Sequence, residues 1–213
     1  PFMATSCCPA WSVMAKKQFP QFASYISMAL TPMVLTGRMI KKDNPDAKVV
    51  FIGPCAAKKL EASRKSIRSD IDFVLTFEEV MGMFEAKGID LSAVEGGEPL
   101  EEGTNSGRGF AVSGGVAKAV KDLINKKHPE VDVKIQNAEG LKNCRTMLMM
   151  AKAGRLDGYL LEGMACPGGC VAGAGTLQPI TKSSVLVKKY ANENEKQTSD
   201  ESAYSDRLHE LSN

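Results

Sequence analysis

The stretch Gly158–Cys170, GYLLEGMACPGGC, decides how the chain is read. Its first half, Gly158–Glu162, is a short apolar run behind a glycine, the pattern of a buried strand. Its second half sets two cysteines around Pro-Gly-Gly. The same succession of strand and then cysteine occurs twice more. Cys7 and Cys8 follow Phe2–Thr5, and Cys55 follows KVVFI after Gly53-Pro54. In open α/β sheets ligands bind just beyond the carboxyl ends of strands. Three loops distant in sequence can therefore gather at one edge. Buried structural cysteines have no reason to choose those positions, whereas metal ligands do.

Working outward, short apolar strands alternate with helical patterns, which predicts an α/β fold of parallel strands linked by helices. Strands are expected at Phe2–Thr5, Lys48–Ile52, Ile71–Thr76, Gly109–Val112, Val131–Asn137 and Gly158–Glu162. Helices are expected at Ala10–Phe22, Pro32–Lys42, Phe77–Lys87, Gly115–Lys126 and Leu141–Ala153. Thr76 is placed to cap the third of these and Gly88 to end it. Gly88–Gly107 and the surroundings of His128-Pro129 read as loops. The segment NENEKQTSDES (192–202) reads as polar and flexible, with a last helix around Tyr204–Leu211. The organisation is one domain over 1–185 and a polar tail over 186–213.

Composition bounds the function. The 213 residues are 43% apolar and 24% charged with a net charge of +2, which is ordinary for a globular protein and argues against a nucleic-acid surface. No apolar run of about 18 residues exists, so membrane insertion is not expected. The apolar start lacks a basic leader, so no signal peptide is expected either. Pro1 in place of Met makes the sequence read as a piece of a longer polypeptide, truncated on its N-terminal side. Without an export signal a cytoplasmic, reducing setting is expected, where clustered cysteines bind metal or do chemistry more often than they form disulfides.

The six cysteines are Cys7, Cys8, Cys55, Cys144, Cys166 and Cys170. Cys144 falls on one helical face with Leu141, Met147 or Leu148 and Ala151, and reads as core. Structural zinc usually shows two close pairs. Here the only close pair that is not adjacent is Cys166 and Cys170, separated by residues whose backbone can pass near a bulky inorganic group. Cys8, Cys55, Cys166 and Cys170 make the four thiolates that a [4Fe–4S] cube needs. Spacing alone leaves iron–sulfur only somewhat ahead of zinc.

The residues around the cysteines carry more. TSCCPAW (5–11), GPCAAKKLEASR (53–64) and EGMACPGGCVAGAG (162–175) resemble, in order, the three signature segments of the [FeFe]-hydrogenases, the iron-only hydrogenases. FAVSGGVAKAV (110–120) looks like that family's Phe-Gly-x-Thr-Gly-Gly-Val-Met-Glu-Ala-Ala, with Ala111, Ser113, Lys118 and Val120 among the substitutions. The resemblance implies the C-terminal part of the large subunit, one portion of a two-lobed hydrogenase domain. It implies an H-cluster: a [4Fe–4S] cube joined by a cysteine sulfur to a two-iron unit carrying CO, cyanide and a bridging dithiolate. By resemblance Cys8, Cys55, Cys166 and Cys170 hold the cube, and Cys170 bridges to the two-iron unit. Cys7 matches the proton-relay thiol, Lys58 the lysine that reaches a cyanide, and Glu61 and Ser27 further members of the proton path. Met164 matches a methionine packed over the two-iron unit. An unperturbed thiol pKa of about 8.5 suits a relay near neutrality. Read without the family, Lys58 and Lys59 begin a solvated helix, and Met164 is one of 11 methionines.

The implied reaction is 2 H⁺ + 2 e⁻ ⇌ H₂, with H₂, protons, ferredoxin or another electron carrier, and maturation proteins as partners. The isolated chain can lack the cluster, because the two-iron unit needs those maturation proteins. Gly53 stands where the family usually has Met, and Gly173-Ala174-Gly175-Thr176-Leu177 replaces the usual Gly-Gly-Gly before Gln178-Pro179. These departures imply a divergent or sensory group. The alternatives are therefore a hydrogen-sensing regulator with slow turnover, or a non-catalytic iron–sulfur scaffold like the cytosolic cluster-assembly factors.

Overall fold

The computed structural model describes residues 1–97, 100 and 102–207. In chain order its elements are β1 (Met3–Ala4), α1 (Pro9–Gln18), α2 (Pro32–Asp43), β2 (Val50–Gly53), α3 (Ala57–Ala62), β3 (Phe73–Thr76), α4 (Phe77–Ala86), α5 (Asn105–Arg108), α6 (Gly115–Lys127), β4 (Lys134–Glu139), α7 (Leu141–Lys152), β5 (Tyr159–Met164) and α8 (Ile180–Asn192). The class is α/β, and every strand pairing is parallel. Among the described residues no helix is long and apolar enough to cross a membrane.

The strands form two sheets, one ordered β1-β5-β4 and the other β2-β3. In the first, β5 is central, with Met3 opposite Leu160 on one side and Lys134 to Glu139 opposite Tyr159 to Met164 on the other. Leu160 to Met164 are all buried, as expected of a parallel strand covered on both faces. Its main core joins Phe2, Ala4, Trp11, Cys144, Leu148 and Leu161. Trp11 is fully buried, and its indole N–H donates to the Thr5 carbonyl at 3.0 Å, which ties α1 to the end of β1. The second sheet rests on a smaller cluster of Met33, Val34, Val49 and Ile71. Ion pairs from α2 stitch its flank, Arg38 to Asp70 at 2.9 Å and Lys41 to Asp72 at 2.8 Å.

Three expectations are corrected. The helix expected to run from Ala10 to Phe22 stops at Gln18, and Pro20–Tyr25 is a 3₁₀ turn. Pro20 has no N–H for the helical ladder, and its ring disfavours a helical residue before it. The strand expected at Gly109–Val112 is instead a 3₁₀ turn over Gly109–Ala111, closed by the Val112 amide on the Gly109 carbonyl at 3.2 Å. A three-residue apolar run between glycines is too short for periodicity to distinguish the two.

The polar segment from Asn192 is docked as well. α8 packs against α5, and the amides of Asn105 and Ser106 donate to the carbonyls of Lys196 and Gln197 at 2.8 and 3.1 Å. The expected last helix over Tyr204–Leu211 falls partly outside the described residues.

Candidate metal centre

The cysteines sit where strands end. Cys8 occupies the N-cap position of α1, followed by Pro9, whose fixed φ suits the first helical turn. Its sulfur accepts the Ala165 N–H at 3.5 Å, joining the loop after β1 to the loop after β5. Cys55 lies between β2 and α3, and its carbonyl accepts the Lys58 amide at 3.3 Å. Pro54 just before it is braced against the third loop, since its carbonyl accepts the Gly175 amide at 2.9 Å. A Cβ on Gly173 would stand 2.3 Å from the Pro54 carbonyl oxygen, so this approach needs glycine. Ala174, the residue that departs from the family pattern, is exposed and meets no such constraint.

Electrostatics report the convergence. Burial pushes the Cys170 thiol up to about 11, helped by the charges of Cys8, Cys55 and Cys166 and opposed by Lys58. Cys166 is raised by burial and then by Cys55 and Cys8. Cys7 is pushed up to about 12 by burial, then by Glu162, Cys8 and Cys170, with Lys58 again opposing. This lies well above the ordinary thiol value assumed from sequence. Cys144 stands apart in role. It is buried, raised to about 11 by burial, and its single S–H proton has two carbonyl acceptors within reach, Ala138 at 3.4 Å and Met164 at 3.5 Å.

The donor set fits a polynuclear iron–sulfur group better than a lone ion. Among the described residues no three His, Cys, Asp or Glu side chains converge tightly enough to hold a single metal ion. Yet Cys8, Cys55, Cys166 and Cys170 lie close enough to influence one another's protons. An all-thiol set of four suits iron–sulfur chemistry and the ligand number of a cube.

Around the thiols, Lys58 and Glu61 form a buried pair at 2.6 Å, and Lys58 Nζ also donates to the Cys7 carbonyl at 3.5 Å. Lys58 thus departs from the solvated-helix reading, whereas Lys59 reaches outward to Glu79 at 2.9 Å. Met164 ends β5 and is buried. Ser27 is held beside β1, its amide donating to the Ala4 carbonyl at 2.8 Å and its hydroxyl accepting from the Ala29 amide at 3.1 Å. It makes no hydrogen bond to Cys7 or Glu61.

Two carboxylates that sequence reasoning missed complete the surroundings. Glu162 is fully buried, and burial raises its pKa above the ordinary carboxylate range while backbone amides pull the other way. Glu139 ends β4 and accepts the Gly168 amide at 2.9 Å. The signal for the first was a charge inside the apolar strand GYLLEGM, because such a residue needs partners.

The family described as iron only hydrogenase large subunit, C-terminal domain, matches residues 1–174. The periplasmic [Fe] hydrogenase large subunit of Nitratidesulfovibrio vulgaris is 31% identical, over 83% of this chain and 51% of that protein. Cytosolic iron-sulfur assembly component 3 of Mus musculus is also 31% identical, over 86% of this chain and 49% of that protein. The chain spans about half the length of these curated relatives. An [FeFe]-hydrogenase HydA1 structure from Chlamydomonas reinhardtii shares the fold with a TM-score of 0.74 at 21% identity, over 99% of this chain and 71% of that one.

Proposed function

From the premise that this chain belongs to the iron-only hydrogenase family, as the C-terminal domain of the large subunit, we propose that it serves reversible proton reduction to H₂. The observation that carries this reading is the gathering of four thiols from three strand-end loops, with a fifth thiol, Cys7, beside them. Cys8, Cys55, Cys166 and Cys170 would hold the cube, with Cys170 as the bridging ligand. When bound, the H-cluster supplies the electron transfer and the hydrogen chemistry. Everything else falls to the protein.

Cys7 is half-buried next to Cys8, and burial followed by the Glu162 carboxylate raises its pKa, which favours the protonated thiol as a local proton donor. Lys58 sets a cation between the Glu61 carboxylate and the Cys7 carbonyl, and in so buried a place its ammonium can also donate to an anionic ligand. Glu61, held at 2.6 Å from that ammonium, offers a carboxylate that can accept a proton inside the protein. Met164 and the buried end of β5 exclude water. Ser27 belongs to the same proton path in this reading, reached through a rearrangement or a bridging water. A ferredoxin-like carrier and dedicated maturation proteins complete the partners. A cytoplasmic, reducing setting belongs to this reading, since it keeps thiols available as metal ligands.

The iron–sulfur scaffold reading has support of its own in the equal identity to the assembly component. One experiment separates the two. The protein matured with its two-iron unit should show infrared CO and cyanide bands and evolve H₂ from a reduced dye. An intact [4Fe–4S] spectrum without those bands and without H₂ would assign it to the scaffold class. Bands accompanied by only slow turnover would favour the sensor, which the loss of a large side chain at Gly53 also supports.

A further inference from the structure

We propose that Glu139 is a positioning residue for the Cys166–Cys170 loop, clamping it from outside against a turn that Glu162 anchors from within. This rests on the reading that Cys166 and Cys170 are cluster ligands. The loop turns on Gly168 and Gly169, with φ of +93° and +95°, a conformation that L side chains rarely adopt. Such a turn is defined only if its polar groups are held. Inside the loop, the Gly169 amide donates to the Cys166 carbonyl at 3.0 Å.

Both polar groups of Gly168 are held from outside the loop. Its N–H donates to Glu139 Oε2 at 2.9 Å, at the end of β4. Its carbonyl accepts the Ser113 amide at 3.1 Å, from the turn that leads into α6. That turn is itself fixed. The Gly114 and Ala117 amides donate to the two oxygens of Glu162 at 2.7 and 2.6 Å. A buried carboxylate there satisfies N–H groups that a helix start leaves without partners, and it complements the helix dipole. The fit is close, since a Cβ on Gly169 would lie 2.5 Å from the Ser113 nitrogen. Thus β4, β5 and α6 jointly set the loop that spaces two of the four sulfurs. Glu139 is exposed, so its removal disturbs no core.

The test uses the full chain in three forms, wild type, Glu139→Gln and Glu139→Ala, reconstituted anaerobically with iron and sulfide. Outer-shell partners typically alter metal affinity by about 10–100-fold. The alanine form should therefore lose iron to a ferrous chelator about tenfold faster than wild type. The glutamine form keeps an acceptor oxygen and should restore retention. The melting temperature of the metal-free chain should not move, which separates positioning from general stability.

Equal iron loss from all three forms, or an equal drop in melting temperature and retention, would overturn the proposal. Should wild type take up no cluster in isolation, the clamp is decided by amide exchange at Gly168 in the metal-free chain. Faster exchange in Glu139→Ala alone supports the clamp. Equal exchange in all three forms overturns it.

Discussion

The two sheets are both parallel, yet they are built to different standards. The three-stranded sheet buries every residue from Leu160 to Met164 of β5 and seats Trp11 beneath it. The two-stranded sheet leaves Val50, Ile52 and Phe73 between 45% and 60% exposed. Parallel strands normally need cover on both faces, so the difference is one of mechanical support. Cys8, Cys166 and Cys170 leave from the well-packed sheet. Cys55, Lys58 and Glu61 follow the thin one and owe their placement to contacts across the gap, chiefly Pro54 against Gly173 and Gly175. A site assembled from both sheets depends on the first for rigidity and on the second for charge.

That contrast can be broken most sharply at Trp11. Trp11→Ala removes a fully buried ring and should cost about 3–5 kcal/mol in urea unfolding. It also leaves the Thr5 carbonyl without its indole donor. Next comes Glu61→Ala, which strands the Lys58 ammonium in a buried position and should cost about 3 kcal/mol, with the buried charge relieved in part by the Cys7 carbonyl. Phe73→Ala on the exposed face of the thin sheet should cost less than about 1 kcal/mol in the same assay. If Phe73→Ala proved as costly as Trp11→Ala, the comparison would fail.

The smallest effect is local and depends on pH. Glu201 is held down to about 2 by the Lys126 ammonium and then by the Gln197 amide and Thr198 hydroxyl. Its contribution is fully present above the ordinary glutamate pKa and is lost as pH falls through about 2. The ion pair is exposed, so added salt should weaken it. The protection of the Asn105 and Ser106 amides, which donate to the docked segment, should fall relative to their intrinsic exchange rate over that acid window while β5 amides stay protected. Lys126→Ala should give the same loss of protection at neutral pH.

Much of this architecture was legible in the chain. Five of the six expected strands form, because KVVFI and GYLLE are short runs flanked by turn residues. α4 begins where Thr76 and Glu79 make a reciprocal capping box. FAV was ambiguous because three residues carry no period. α8 was missed because ITKSSVLVKKYAN is rich in Thr, Ser and Val, which are weak helix formers, and its helix is decided by packing on α5. The candidate ligands were legible from strand-end position and from motif. Glu139 was not, because a carboxylate on a strand end has no local pattern that points to an amide 29 residues away.

The linear chain by itself determined the parallel α/β character, the cysteine loops at strand ends and the family, because periodicity and motif spacing are local properties. Only the tertiary structure decided that Lys58 is buried against Glu61, that Cys7 lies near Glu162 and Cys170, and that two carboxylates hold the turn before α6 and the Pro-Gly-Gly loop. Burial and hydrogen-bond partnership are relations between distant segments. They acquire a value only when the loops after β1, β2 and β5 have come together.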